Sequence, residues 1–244
     1  RTDAWGGSLE NRARIHLEII KKCREEVGND FAISIKMNSA DFQKGGFSPE
    51  DSIQVAKLFS DSGIDNIEIS GGTYEQPRLL GLDKVSINPK RSENRKESTI
   101  AREAYFLSYA EEIAKVVNIP LMVTGGFRTK EGMEAALADG ACEIVGVGRP
   151  LCANPYAIKE LLAGQIDELP KYEKTLSIGP WWLSPTSPFR LIQAINAFSA
   201  QAWFYQQIKK MGKGLMPDLT LKPWKAFRED AKADQEAIKE YQNF

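Results

Sequence analysis

The sequence predicts an α/β chain, built as a partial TIM (β/α)8 barrel followed by a helical C-terminal extension. Three observations carry this. Short apolar runs alternate with amphipathic ones as far as about residue 165, a pattern that implies a parallel sheet with helical crossovers. Glycine-rich turns follow the later apolar runs. Beyond them the alternation stops and long helical periodicity takes over.

Taken in order, Ser8 is a natural N-cap after the Gly6-Gly7 turn, and Ile15, Ile19, Ile20 and Val27 recur at helical spacing until Gly28, which predicts a helix over 8–28. Residues 31–37 alternate and are rich in β-branched side chains, so they read as a strand. Ser48, Pro49, Glu50 and Asp51 open a second helix, with a capping hydroxyl, a proline at the first helical position and acids in the first turn. The same reasoning predicts a strand at 66–70, a helix at 98–117, a strand at 120–124, a helix at 129–139, a strand at 143–147 and a helix at 155–163. An open doubly wound sheet and a closed barrel both satisfy this alternation. A complete barrel typically needs eight strands and about 250 residues; the strands predicted here amount to half of one.

The rest of the chain is organised differently. Pro180, Trp181, Trp182, Pro185 and Pro188 predict a rigid link over 166–187, and Leu191, Ile192, Ile195, Phe198, Ala202, Tyr205 and Ile208 form a helical stripe. A charged helix is expected after Pro223. The expected organisation is therefore a half barrel over 1–165, a link over 166–187 and a helical extension over 188–244. The apolar stripe is expected to pack against the domain or a twin subunit, making a homo-oligomer, rather than lie on a membrane.

Composition narrows the partners. Thirty-two basic residues against thirty-three acidic ones leave a net charge of -1, so no global field recruits nucleic acid or an anionic membrane. Small molecules are the expected partners. Cys23, Cys142 and Cys152 form no C-x-x-C pair, which argues against a disulfide framework or a thiolate metal site and fits a cytoplasmic location. No metal site is expected, and no apolar run approaches the roughly 20 residues of a membrane-spanning helix. The chain opens at Arg1 without an initiator Met, and truncation of a longer protein is the expectation.

The most informative stretch is Val123, Thr124, Gly125, Gly126, Phe127 and Arg128 after one strand, with Val147, Gly148, Arg149 and Pro150 after the next. In parallel βα architectures ligands lie at the C-terminal strand ends, and barrels often bind phosphate between the last two βα loops. Glycine lets backbone approach closely, so amides around Gly125, Gly126, Phe127, Gly148 and Arg149 can point at phosphate oxygens, and Arg149 adds a guanidinium fork. The alternative is a plain tight turn and a surface arginine. Lys36 is placed at the end of the first strand, facing the same mouth, or else snorkels from the sheet to water. Tyr74, in the long polar loop that follows Gly71 and Gly72, either lines the substrate side or is an exposed loop residue. His16, the sole histidine, lies inside the first helix and reads as structural.

These residues resemble a known family. RTDAWGGSLENR at 1–12 is similar to the R-x-D-x-Y-G-G-S-x-E-N-R signature of the old yellow enzyme, or NADH:flavin oxidoreductase, family. Blocks at 36–47, 68–74, 102–106, 124–128 and 146–151 follow in the family's order and approximate spacing. The resemblance implies that the strands are the fifth to eighth of the barrel and that the cofactors are FMN, held without covalent attachment, and NAD(P)H as its reductant. An activated alkene, quinone or similar electrophile would be the small-molecule acceptor. It also implies that Lys36 contacts the flavin ring, where a cation stabilises the charge that reduction places on N1 and O2, and that Gly126, Phe127, Gly148 and Arg149 hold the phosphate. Lys36 stands where many members have Arg, and Trp5 where Tyr is common.

The family's substrate-anchoring His-Asn or His-His pair and its proton-donating tyrosine precede the opening signature, so no catalytic residue is assigned here and the chain alone is expected to be inactive. No cysteine cluster or G-x-G-x-x-G unit follows the barrel segment, which disfavours the dienoyl-CoA-reductase branch. Two other readings stand beside the flavin reductase: a catalytically inactive FMN- or phosphate-binding remnant or interaction protein, and a non-redox barrel that grips a sugar phosphate.

Overall fold

The computed structural model describes residues 1–41, 45–71 and 106–242, and they form two compact units, Arg1–Val147 and Gly148–Phe244. Tyr74 and the 72–105 segment lie outside the described residues.

The first unit runs α1 (Leu9–Val27), β1 (Ser34–Asn38), α2 (Pro49–Asp61), β2 (Asn66–Ser70), α3 (Leu107–Ala114), β3 (Leu121–Thr124), α4 (Lys130–Ala138) and β4 (Ile144–Gly146). The helix starts follow the capping residues. Ser8 accepts a hydrogen bond from the Asn11 amide, Ser48 from that of Asp51 and Thr129 from that of Gly132, each satisfying a donor the helix cannot pair internally.

All neighbouring strands are parallel and lie in the order β1-β2-β3-β4. This order decides between the two architectures that the alternation allows. A doubly wound sheet reverses its direction of growth at a switch point, whereas here each crossover adds the next strand on the same side, as in a sector of a (β/α)8 barrel.

Alternation along the strands separates two faces. Met37, Ile67, Ile69, Leu121 and Val123 are buried with Ala13, Ile20, Val55, Phe59, Ala110 and Ile113 of the helices. Burying each of the larger aliphatic side chains stabilises the fold by about 1.5–3 kcal/mol. The other face is largely polar: Ser34, Lys36 and Asn38 on β1; Asn66, Glu68 and Ser70 on β2; Met122 and Thr124 on β3.

The strand expected over 31–37 is displaced toward the C-terminus. Phe31 is 63% exposed, its carbonyl accepts from Arg24, and the Ile33 amide donates to Asp65, so the chain is held off the sheet until Ser34 pairs with Asn66. Of the helix expected over 98–117, the described part begins at Leu107 and ends at Ala114.

The second unit contains α5 (Arg149–Ala153), α6 (Ala157–Leu162), 3-10 turns at Tyr172–Lys174 and Trp181–Leu183, α7 (Arg190–Met211) and α8 (Pro223–Gln242). The single helix expected over 155–163 is thus preceded by a short one, and extended backbone at Asn154 separates them. Trp203 centres this unit's core, packing edge-on against Phe204 and donating its indole N–H to the Leu221 carbonyl at 2.9 Å.

The expected stripe on α7 is only partly buried: Ala202 is in the core and Ile192 and Ile195 are half-buried, but the remaining members are exposed. Leu191 and Phe198 are 71% and 58% exposed, while Asn196, Ser199, Ala202, Trp203, Phe204 and Gln207 are buried. Trp203 supplies the apolar area. The amides of Asn196 and Gln207 can be buried because both are hydrogen-bonded to backbone.

Candidate functional site

The loop after β3 is shaped by two glycines in left-handed territory, Gly125 at φ 128° and Gly126 at φ 93°. A side chain at either position is strained, so this backbone needs glycine. Phe127, which follows, is almost wholly buried and pins the loop to the core. Arg128 is 6% exposed and donates to the Phe127 carbonyl at 2.7 Å. Thr129 then caps α4.

Thr124 closes β3 on the polar face of the sheet. Its Oγ1 is buried and has no hydrogen-bond partner among the described residues. Gly146 lies opposite Thr124 in the β3–β4 register. An unpaired hydroxyl followed by a two-glycine turn, which lets backbone approach a ligand closely, is an arrangement suited to phosphate oxygens.

Lys36 is on the same polar face as Thr124, though not at the strand end where its sequence context places it: it is the central residue of β1. Its ammonium is 2.5 Å from Glu68 Oε1, and Glu68 is its partner in the β1–β2 register. Lys36 on β1 and the loop of Gly125, Gly126 and Phe127 that follows β3 thus belong to one unit. Gly148 and Arg149 belong to the second unit, where Gly148 is exposed and Arg149 is the first residue of the five-residue α5. His16 packs its ring 5.9 Å from Phe59 and lines a cavity of about 420 Å³ between α1, β1 and α2, together with Leu9, Arg12, Phe47 and Val55.

Glu68 and Thr124 are site-face residues that lie within the sequence blocks noted above but are assigned no role by them. The signal for Glu68 was present in the alternation of Asn66-Ile67-Glu68-Ile69-Ser70, which sets a carboxylate opposite two core isoleucines. The opening RTDAWGGSLENR segment proves to be a self-bonded entry to α1. Asp3 accepts from the Trp5 amide and from Arg1, Asn11 donates to the Gly6 carbonyl, and Arg14 donates to the Ala4 carbonyl while lying over the Trp5 ring. The Arg1 guanidinium holds the Asp3 carboxyl below the usual carboxylate range.

Residues 1–168 match the NADH:flavin oxidoreductase / NADH oxidase family. The chain belongs to this family. FMN and NAD(P)H are the cofactors of this family, and the four parallel strands fit a part of a TIM barrel. Among curated relatives, the chain is 40% identical over 167 residues to the NADH-dependent flavin oxidoreductase iliE of Hypocrea jecorina, a match covering 66% of this chain and 39% of that protein. It is 33% identical over 217 residues to the NADH-dependent flavin oxidoreductase iccE of Talaromyces variabilis, covering 87% of this chain and 50% of the relative. With the NADH oxidase of Thermoanaerobacter brockii it shares 34% identity over 211 residues, 86% of this chain and 30% of the relative. The chain therefore spans half or less of the length of these family members.

A solved 2-naphthoyl-CoA reductase complexed with 2-naphthoyl-CoA superposes with a TM-score of 0.56 at 32% identity, over 69% of this chain and 24% of that one. Histamine dehydrogenase from Rhizobium sp. 4-9 shares the fold, with a TM-score of 0.51 at 24% identity over 68% of this chain and 22% of that one. Among the described residues no helix is long and apolar enough to cross a membrane.

Proposed function

We propose that this chain supplies the phosphate-binding and part of the ring-binding portion of an FMN-dependent NAD(P)H oxidoreductase that reduces activated alkenes or quinones. The observation that carries the reading is the β3 terminus, where Thr124, on the same sheet face as the Lys36 cation, has a buried, unpaired hydroxyl and is followed by the turned backbone of Gly125 and Gly126. The amides of Gly125, Gly126 and Phe127 would hold the phosphate. Gly148 and Arg149 are assigned to it on their place in the sequence, and Tyr74 to the substrate side on the same ground. Lys36 would lie beside the pyrimidine edge of the flavin, opposing the negative charge that builds there on reduction. FMN, when bound, takes hydride from NAD(P)H and passes it to the acceptor; the protein's part is to orient the ring and keep its phosphate in place.

Acceptor reduction also requires groups that orient and polarise the acceptor, and apart from Tyr74 none is assigned in this chain. It should therefore bind FMN without reducing an enone at an appreciable rate. Titrating FMN into the purified chain, followed by flavin fluorescence, and assaying NAD(P)H oxidation with an enone separates the alternatives. Binding without turnover is the expected result. A folded chain that ignores FMN contradicts the proposed site, and turnover by the chain alone contradicts its expected inactivity.

A further inference from the structure

We infer that Glu68 is a positioning residue for Lys36, and that it sets how much positive charge the flavin ring meets. The inference rests on the reading that Lys36 faces the ring. Glu68 sits on β2, an interior strand paired to β1 and β3, while Lys36 hangs from β1 on a flexible stem. The two are direct register partners, and the Glu68 side chain is 19% exposed against 55% for Lys36.

The rigid, largely buried carboxylate therefore fixes where the mobile ammonium comes to rest. On the polar face of the described strands, the other side chains from β1 to β3 are Ser34, Asn38, Asn66, Ser70, Met122 and Thr124, so Lys36 and Glu68 are its charged members. Ser34 and Asn66, the next register pair on this face, bond to each other. Glu68 thus has Lys36 as its counter-charge on this face, and burial makes that pairing stringent.

Two consequences follow for a bound flavin. An ammonium carries three donors, and giving one to Glu68 leaves two that can reach a ring atom from a defined position. The carboxylate also offsets the cation, so the ring meets the weaker field of an ion pair, and the reduced state is stabilised less than a lone lysine would stabilise it. Glu68 in this way opposes an excessive rise in flavin potential while keeping Lys36 in place.

The test measures the midpoint potential of the FMN-loaded chain for wild type, Glu68→Gln, Lys36→Met and the double variant. It also measures acetic anhydride labelling of Lys36 in the FMN-free protein by mass spectrometry. Glu68→Gln should raise the potential when Lys36 is present and leave it unmoved in the Lys36→Met background, and Lys36 should be labelled faster. Glu68→Asp keeps the charge, should restore most of the wild-type potential, and serves where the glutamine variant folds poorly.

An equal rise in both backgrounds would mean that Glu68 acts on the ring directly and would overturn the positioning role. Unchanged labelling would overturn the pairing. A potential indifferent to Glu68→Gln but lowered by Lys36→Met would sink this inference while sparing the flavin assignment of Lys36. Failure of every variant and of wild type to bind FMN, or a potential indifferent to Lys36→Met, would remove the assignment and the inference together.

Discussion

Thr124 and Gly146 face each other in the β3–β4 register, and a Cβ placed on Gly146 would stand 1.8 Å from Thr124 Oγ1 and 2.7 Å from Met122 Cε. Glycine at 146 is thus a packing requirement of the threonine beside the glycine turn. Gly146→Ala should destabilise the first unit by about 1–3 kcal/mol, the usual range for overpacking, and should weaken FMN binding because Thr124 must move. Adding Thr124→Ala should recover part of the stability and none of the affinity. Denaturant midpoints and FMN titrations on the three variants check this; a Gly146→Ala chain as stable as wild type would contradict it.

Arg149→Ala tests the second glycine loop. If the guanidinium makes a charge-assisted phosphate contact, its loss costs about 1.5–3 kcal/mol and lowers FMN affinity roughly ten- to a hundredfold. The flavin that stays bound should keep its potential, because the phosphate is remote from the ring. Affinity and potential must be measured in one buffer, since exposed charges are screened by salt. A shifted potential with intact affinity would refute the assignment.

Asn196 ties the segment before α7 to that helix. Its side chain accepts from the Ile178 amide at 3.0 Å and donates to the carbonyls of Leu183 and Ile192, each at 2.8 Å. Asn196→Ala strands these groups in a buried position and should cost about 1–3 kcal/mol. Amide hydrogen exchange should quicken first at Ile178. Unaltered protection there would show that the segment is held by other contacts.

Asp218 provides a pH-dependent term in the second unit. The Thr220 hydroxyl, the Lys210 ammonium and the Thr220 amide hold its carboxyl at about 2. Because the folded-state value is depressed, the native state is favoured once pH exceeds the ordinary carboxylate value. That advantage is lost as pH falls from there through about 2. Tryptophan fluorescence, reporting on Trp203 and Trp224, should show wild type losing stability across that window. Asp218→Asn should be less stable at neutral pH and flatter in acid; an identical acid profile would contradict the linkage.

The sequence by itself determined where most helices of the first unit begin and that short strands separate them. Ser8, Ser48 and Thr129 act on amides three positions ahead, and the Gly125-Gly126 turn needs only its own two residues, so a linear reading captures them. The order of the strands, the start of β1 and the buried face of α7 were left to the tertiary structure. Lys36 and Glu68 are 32 residues apart, as are Ser34 and Asn66, and only strand pairing brings them into register. The Arg24 and Asp65 contacts that delay β1 until Ser34 are long-range as well. On α7, hydropathy selects the stripe through Leu191 and Phe198, yet the buried face is the one where Trp203 fills the core and Asn196 and Gln207 find backbone partners. Periodicity reports which side chains would leave water; which of them do so depends on the surface and the hydrogen-bond partners that the folded chain provides.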